Sequence, residues 1–365
     1  MTSSFSLSRH SMPLDLRAML PWIKRLLLLA QLLPLGWQLG GCVRQEPRSP
    51  AAMPAAMPGN SFAGSLPPLT DAERQLSDRL KAHVRMIGGT IGERNVWKYD
   101  KLEAAAAYIE GELKTLGYDP GRQPYEAGGK TVRNIDATLP GSGSGAPADE
   151  IVVVGAHYDS VRGAPGANDN GTGVAATLEL ARLLKDGKPA RTIRFALFVN
   201  EEPPFFQTGL MGSVVYAKRC RQHGEKVVGM LSLETIGFYS DERGSQQYPP
   251  PFNRYFPDTG NFIAFVGDDS AADFVARCVG SFRRHTKFPS EGGALPDTIE
   301  GIGWSDHWAF TRQGYPALMV TDTAPFRYRH YHTAGDTPDK VDYDRTARVT
   351  AGVARVVEEL AGAAN

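Results

Sequence analysis

The sequence contains little cysteine and has no formal net charge. Only three cysteines occur in 365 residues, and 40 basic side chains are balanced by 40 acidic ones. The balance, together with the lack of a long lysine and arginine block, excludes a strongly basic face, so we expect no nucleic-acid partner. Cys220 and Cys278 either form one disulfide in an exported protein or stay as small buried thiols, and their spacing does not decide between the two.

The chain also has no apolar run that is suited to span a membrane. Lys24 and Arg25 precede the run LLLLAQLLPLGWQL, which is short and interrupted by proline. A cationic start and a short apolar core predict a signal peptide over residues 1–42. The run ends in Leu-Gly-Gly-Cys, which resembles a bacterial lipobox and predicts that Cys42 is lipidated. The alternatives are a plain signal peptide, or one anchor helix with a chance cysteine. Because the stretch before Lys24 is long, Met12 and Met19 are alternative translation starts.

Residues 43–68 are rich in proline, alanine, glycine and serine. A segment of this composition buries little apolar surface and is typical of a flexible linker. Together with Cys42, it predicts an exported protein of the bacterial cell envelope. We expect a lipid anchor to hold it to a membrane that faces the periplasm or the exterior, with residues 69–365 as the folded domain.

Strand and helix patterns alternate along the rest of the chain. Thr70 and Glu73 form a capping box that predicts the start of a helix. Continuous apolar runs such as EIVVVGAHYDS and TIRFALFVN predict strands that are buried on both faces, and segments such as GTGVAATLELARLLKDG predict helices between them. This alternation predicts an α/β fold, a three-layer α/β/α sandwich with a mostly parallel central sheet.

Ionisable side chains gather where the predicted strands end, which is where such sheets bind ligands. These residues are His157, Asp159, Asp169, Glu201, Glu202, Glu234 and His332. Imidazole and carboxylate together suit zinc and similar divalent ions, and the set is large enough for two ions that share one carboxylate. Asp169, which lies in a glycine-flanked loop, suits that bridge. Glu201 and Glu202 cannot easily bind the same ion, so we expect one to bind metal and the other to hold the proton of an attacking water.

Several segments carry a resemblance to a known family. AHYDS, GANDNGTG, NEEP, LSLETIGF, SDHWAF and YHTAGDTPDKVDY occur in family order over residues 75–360. They resemble the zinc-dependent peptidases of family M28. The resemblance implies an exopeptidase with residues 69–365 as its catalytic domain. In particular it implies an aminopeptidase that uses a metal-bound water and a glutamate general base on peptide substrates.

The resemblance also implies a role for each residue. Two Zn²⁺ ions per chain would be held by two groups of ligands that share Asp169: His157, Asp169 and Glu234, and Asp169, Glu202 and His332. Glu201 would act as general base and then as general acid, and Tyr331 would stabilise the oxyanion. Asp159 would orient the imidazole of His157. An unusual peptide geometry after Asp169 is implied as well.

Two of these assignments stay open in the sequence. Glu234 stands where the family more often has aspartate, and the extra methylene moves its carboxylate outward. The strength of the first metal site and the recognition of the free substrate amine are therefore open, and an alternative is that Glu234 pairs with an arginine. His330, two residues before His332, is an alternative ligand.

Other activities are compatible with the same pattern. A glutaminyl-peptide cyclotransferase-like enzyme would use one zinc and no attacking water. A receptor-like ectodomain would keep the fold without catalysing a reaction. Carboxypeptidase or dipeptidase action also remains open.

The long segment 239–261 is rich in proline and aromatic residues, which predicts a wall or lid of the substrate pocket. Its candidate contacts are Tyr248, Phe252 and Tyr255, while Asp306 and His307 either line the site or cap a helix.

Overall fold

A computed structural model describes residues 56–142 and 149–362. The predicted signal segment, Cys42, residues 43–55 of the predicted linker and most of the glycine-serine turn at 141–146 lie outside the described residues. Among the residues that the structure describes, no helix has the length and apolar character needed to cross a membrane.

One eight-stranded sheet forms the centre of the domain. Its strands in chain order are β1 (Gly121–Ala127), β2 (Lys130–Leu139), β3 (Glu150–His157), β4 (Thr192–Phe198), β5 (Lys226–Glu234), β6 (Ile263–Asp268), β7 (Ser290–Leu295) and β8 (Ala317–Thr321). Across the sheet the order is β1-β2-β4-β3-β5-β8-β6-β7. The central block β4-β3-β5-β8 is parallel, as is β6-β7, whereas the β1-β2, β2-β4 and β6-β8 pairings are antiparallel. Parallel pairings thus outnumber antiparallel ones.

Helices cover both faces of this sheet and confirm the predicted α/β class. They are α1 (Asp71–Val84), α2 (Tyr99–Thr115), α3 (Gly171–Leu184), α4 (Gly212–Gln222), α5 (Ala272–His285), α6 (His307–Thr311) and α7 (Tyr343–Ala361). Helices α1, α2, α3, α5 and α7 form one layer, and α4 and α6 pack together in the other. The capping box is present at the start of α1, where the Glu73 amide donates to Thr70 Oγ1 at 3.2 Å.

The strands send alternate side chains into two apolar clusters, one on each face. On β3, Val152 belongs to the larger cluster and Val153 to the smaller one. This explains why the β3 sequence is apolar at consecutive positions. Cys278 lies in the larger cluster and Cys220 in the smaller, so the sheet separates the two thiols, and both are free.

Two strands lack the apolar pattern that predicts a strand. β1 contains Pro124, and β7 has the sequence SEGGAL. Both strands lie at edges of the sheet, where proline and glycine are tolerated because only one side of the strand is paired. Part of the predicted linker covers the outer edge of β7: the Ser290 amide donates to Ser61 Oγ at 2.9 Å.

Candidate metal centre

The ends of three neighbouring strands supply most of the ionisable side chains. His157 is the last residue of β3 and Glu234 the last of β5, while Glu201 and Glu202 follow β4 by three and four residues. Because β4, β3 and β5 are parallel neighbours, these ends lie at the same edge of the sheet. Asp169 joins them from the loop that precedes α3.

All five residues that the sequence nominates as metal ligands meet at this edge. His157 Nε2 lies 3.3 Å from Asp169 Oδ1 and 3.3 Å from Glu234 Oε2. His332 Nε2 lies 3.1 Å from Asp169 Oδ2 and 3.2 Å from Glu202 Oε2. Asp169 thus turns one oxygen to each group, as a bridging carboxylate would. We call His157, Asp169 and Glu234 the first donor group and Asp169, Glu202 and His332 the second.

The donor atoms fit a metal better than they fit one another. Asp169 Oδ2 is buried and has no hydrogen bond of acceptable geometry, although His332 Nε2 is 3.1 Å away. Burial raises the pKa of Glu201 well above its usual range, and burial together with Asp169 raises the pKa of Glu202 to about 7. Several buried carboxylates of this kind are costly unless cations neutralise them. The nitrogen and oxygen donors match the ligand set of zinc.

The side chain of Asp159 holds the backbone of Glu201 and Glu202. Its two carboxylate oxygens accept from the amides of Glu201 at 3.1 Å and Glu202 at 3.2 Å. Its Oδ1 lies 3.5 Å from His157 Nδ1, beyond normal hydrogen-bond length. Asn200, just before the pair, has φ of 60°, a conformation that residues other than glycine rarely adopt. The structure therefore adds a role that the sequence did not indicate: Asp159 fixes the turn that presents both glutamates.

Asp336 anchors the loop that carries Asp169. It accepts from the amides of Asn168 at 2.8 Å and Asp169 at 3.0 Å, and from the Tyr328 hydroxyl at 2.9 Å. The peptide bond between Asp169 and Asn170 is cis, which agrees with the unusual geometry implied by the resemblance. Asp336 therefore supports the backbone that presents Asp169, the carboxylate shared by the two donor groups.

A buried arginine braces the segment between His157 and Asp169. The Arg94 guanidinium donates to the carbonyl oxygens of Tyr158 at 2.6 Å, Pro165 at 2.7 Å and Gly166 at 2.9 Å. Its burial lowers its pKa to about 10, while nearby carboxylates oppose this change. Sequence reasoning missed Arg94, because its partners are backbone atoms at positions more than 60 residues away.

The positions of Glu234 and His332 favour them over the alternatives that the sequence left open. Glu234 Oε2 accepts from the Ser305 hydroxyl at 2.8 Å and has no arginine partner among the described residues. His332, whose φ is 57°, extends to the acidic cluster, whereas the ring of His330 packs edge-on against Tyr328. The Ser305 hydroxyl thus helps to hold the longer side chain that replaces the usual aspartate.

Asp306 and His307 are both buried. Asp306 is fully buried, and burial raises its pKa to about 7. His307 Nε2 is bonded to the carbonyl of Ile302 at 2.7 Å, and burial lowers the pKa of this imidazole to about 4. Neither residue lines the substrate pocket, and the Asp306 side chain makes no capping bond to α6.

An apolar pocket opens beside the first donor group. Glu234 and Tyr331 are among the residues that line it, and it holds about 880 Å³ including its open mouth. The ring of Tyr331 stacks on His332, with 3.8 Å between centroids and 16° between planes. Tyr331 therefore links the pocket to the second donor group.

The segment 239–261 forms a wall of this pocket, as the sequence predicts. Tyr248 and Phe252 line it, but Tyr255 does not: that side chain is 43% exposed and Phe256 lines the pocket in its place. Gln246 fixes the wall, since Arg327 Nε donates to its Oε1 at 2.8 Å. Segment 239–261 is therefore a wall that buried side chains, among them Gln246 and Phe252, hold in place.

Comparison with known proteins identifies the family. Residues 134–357 match the model of peptidase family M28. The chain is 35% identical to the Escherichia coli K12 protein YfbL, described as uncharacterized, over 76% of this chain and 86% of that protein. It is 32% identical to leucine aminopeptidase 1 of Trichophyton equinum, over 73% of this chain and 69% of that one.

Solved structures share the fold at low identity. BSAP, a zinc aminopeptidase from Bacillus subtilis, superposes with a TM-score of 0.64 at 16% identity, over 78% of this chain and 95% of that one. A glutaminyl cyclase from Fimbriiglobus ruber gives a TM-score of 0.59 at 20% identity, over 83% and 99%. The family match covers more than half of the chain, and the chain is a metallopeptidase that belongs to peptidase family M28.

Proposed function

We propose that the protein is a zinc-dependent aminopeptidase that removes N-terminal residues from peptides. The observation that carries this proposal is the pair of donor groups that share Asp169, with the carboxylate of Glu201 beside them and in neither. Relatives named leucine aminopeptidase and a fold shared with a zinc aminopeptidase support the choice.

The two donor groups would hold two zinc ions, with Asp169 between them. When bound, zinc polarises a carbonyl and lowers the pKa of water. The protein positions the ligands through residues outside the donor groups: Ser305 holds Glu234, and Asp336 holds the backbone at Asp169. Such outer contacts orient the ligands before substrate arrives.

Glu201 is the group that moves the proton. Its Oε2 lies 3.9 Å from His157 Nε2, and its backbone is fixed by Asp159. Burial raises the pKa of the Glu201 carboxyl, which favours a base that keeps a proton once it has taken one. Glu201 takes a proton from the attacking water, and then donates it to the nitrogen of the leaving peptide.

Tyr331 stabilises the charge that develops on the carbonyl oxygen. Burial and the surrounding carboxylates raise the pKa of its phenol well above the usual range, so its hydroxyl stays protonated and can donate. Stacking on His332 restrains the ring where it lines the pocket. A fixed donor of this kind lowers the barrier without reorganisation.

The test is hydrolysis of a leucyl anilide by purified, zinc-loaded protein, with the N-acetylated anilide as control. We expect release of aniline from the free amine only, and loss of activity with chelator. Equal cleavage of the blocked substrate, or no cleavage of either, would contradict an aminopeptidase. Cyclisation of a glutaminyl peptide without hydrolysis of the leucyl anilide would favour the cyclotransferase alternative.

We also propose that the protein is exported and anchored by a lipid on Cys42. The support is the sequence pattern of residues 1–42 and the linker composition that follows. Cells given radiolabelled fatty acid should label the natural chain and leave Cys42→Ala unlabelled. Equal labelling of both would overturn the anchor.

A further inference from the structure

Four side chains cross the floor of the pocket in one row. Strand pairing places Glu234 of β5 opposite Thr321 of β8, Thr321 opposite Ala264 of β6, and Ala264 opposite Glu291 of β7. Residues paired in neighbouring strands point to the same face of a sheet, and all four line the pocket. The pocket is therefore a trough that runs across the strands from the metal centre to Glu291.

The row sets the length of this trough. Neighbouring strands lie about 4.8 Å apart, so three intervals separate the backbones of Glu234 and Glu291 by about 14 Å. The two residues between them, Thr321 and Ala264, have small side chains that leave the floor open. A carboxylate thus stands at each end of an open trough.

The walls of the trough are aromatic and all its charges are negative. Its aromatic walls are formed by Tyr248, Phe252, Phe256, Phe262, Trp304, Phe326 and Tyr331. Among the described residues that line it, the charged ones are Glu234, Glu291 and the exposed Glu300, with no lysine, arginine or histidine. Apolar walls with a carboxylate at the far end suit a side chain that has an aliphatic stem and a cationic tip.

We propose that the pocket selects substrates whose N-terminal residue is lysine or arginine, and that Glu291 binds the cationic tip. This rests on the proposed aminopeptidase function. An extended lysine spans about 7 Å between its two nitrogens. A hydrogen bond of about 2.8 Å at each end brings the span to about 13 Å, within reach of two glutamate side chains whose backbones are about 14 Å apart.

The cation nearest to the Glu291 carboxylate does not form a hydrogen bond with it. Arg283 Nη2 lies 3.9 Å from Glu291 Oε2, which is too far for a hydrogen bond. The Arg283 guanidinium is committed instead to the carbonyl oxygens of Ser290 at 2.8 Å and Gly59 at 3.0 Å. Glu291 therefore keeps acceptor capacity for a substrate cation.

The experiment compares lysyl, arginyl and norleucyl anilides on the zinc-loaded protein. Norleucine has the stem of lysine without its charge, so the ratio of kcat/KM for lysyl over norleucyl substrate isolates the contribution of the cation. We expect a ratio of at least about ten for the natural protein, since a hydrogen bond to a charged group has that magnitude. In Glu291→Gln the ratio should fall to about one.

Matched controls separate this proposal from the proposed function. Glu242→Gln changes an exposed glutamate of the wall segment that does not line the pocket, and the ratio should stay at the natural value. Norleucyl hydrolysis with a ratio at or below one in the natural protein, or a ratio unchanged by Glu291→Gln, would overturn the selection and leave the aminopeptidase standing. Failure to hydrolyse any free-amine substrate would overturn both.

Binding gives a second readout that does not depend on turnover. In the background of Glu201→Gln, which removes the proton carrier, Lys-Ala should bind at least about tenfold more tightly than norleucyl-alanine by calorimetry. Equal affinities would contradict the role of Glu291.

Discussion

The metal centre and the substrate pocket meet at Glu234, yet the protein builds them in different ways. The centre collects ionisable side chains from the ends of parallel strands, and buried partners such as Asp159 and Asp336 hold them through backbone amides. The pocket has a floor of small side chains and a wall of aromatic ones, with few polar contacts. Under the proposed function this contrast separates two tasks: the centre would act on the reacting bond, and the pocket would determine which residue is presented to it. Changes in the centre should lower kcat, and changes in the pocket should alter KM and selectivity.

The largest effect is expected from Glu201→Gln. The amide keeps the shape of the side chain but cannot accept the proton, so kcat should fall by about 10²- to 10⁴-fold. Bound zinc should stay near the natural amount, because Glu201 belongs to neither donor group. Steady-state kinetics and metal analysis on the same preparation check both parts. Full activity would contradict the role of Glu201, and loss of metal would show that it is a ligand.

A smaller loss is expected from Tyr331→Phe, which tests the boundary between the two regions. Phenylalanine keeps the ring that lines the pocket and stacks on His332 but removes the hydroxyl. We expect kcat to fall about 10²-fold, the cost of losing one oxyanion donor, with KM almost unchanged. A change confined to KM would instead assign Tyr331 to the pocket alone.

Ser305→Ala tests how the centre is supported. The change removes the 2.8 Å hydrogen bond to Glu234 Oε2, and loss of such a partner lowers metal affinity by about tenfold or more. Competition with a zinc chelator measures this directly. Ser77→Ala is the matched control, since it removes a 2.8 Å bond to Asp344 away from the centre. Equal zinc affinity in the Ser305 variant and the natural protein would show that Glu234 needs no support.

The smallest effect is expected from Trp304→Ala in the pocket. Trp304 is 38% exposed and stacks on Phe326, so loss of its contact area should raise KM by about fivefold with kcat nearly constant. Trp97→Ala is the control, because that side chain is 50% exposed and does not line the pocket. An equal KM change in both variants would contradict a pocket role for Trp304.

The centre could be predicted from sequence because short motifs carry it. His157, Asp169 and Glu234 each follow or adjoin an apolar run or a glycine loop, and strand ends in parallel sheets share one edge. The alternation of strands with helices follows from the same runs, whereas β1 and β7 lack such runs. The five nominated ligands do meet, but their action as ligands is still a prediction.

The supporting residues of the centre and the lining of the pocket depend on contacts between distant parts of the chain. Arg94 and Asp336 act on backbone atoms of loops far from them in sequence, so no local pattern marks them. Glu291 lies in SEGGAL, an edge strand without apolar alternation, and only strand register places it in one row with Glu234, three strands away. For the same reason Tyr255 was wrongly expected in the pocket: a loop sequence does not show which ring turns inward.

The most direct test of the dinuclear centre is the zinc stoichiometry of the purified protein, measured beside Asp169→Asn. Asp169 serves both donor groups, so the natural chain should bind two zinc ions, and the isosteric asparagine variant should bind fewer, with weaker affinity at both sites. One zinc per chain in the natural protein, with an unchanged amount in Asp169→Asn, would contradict a shared bridging carboxylate.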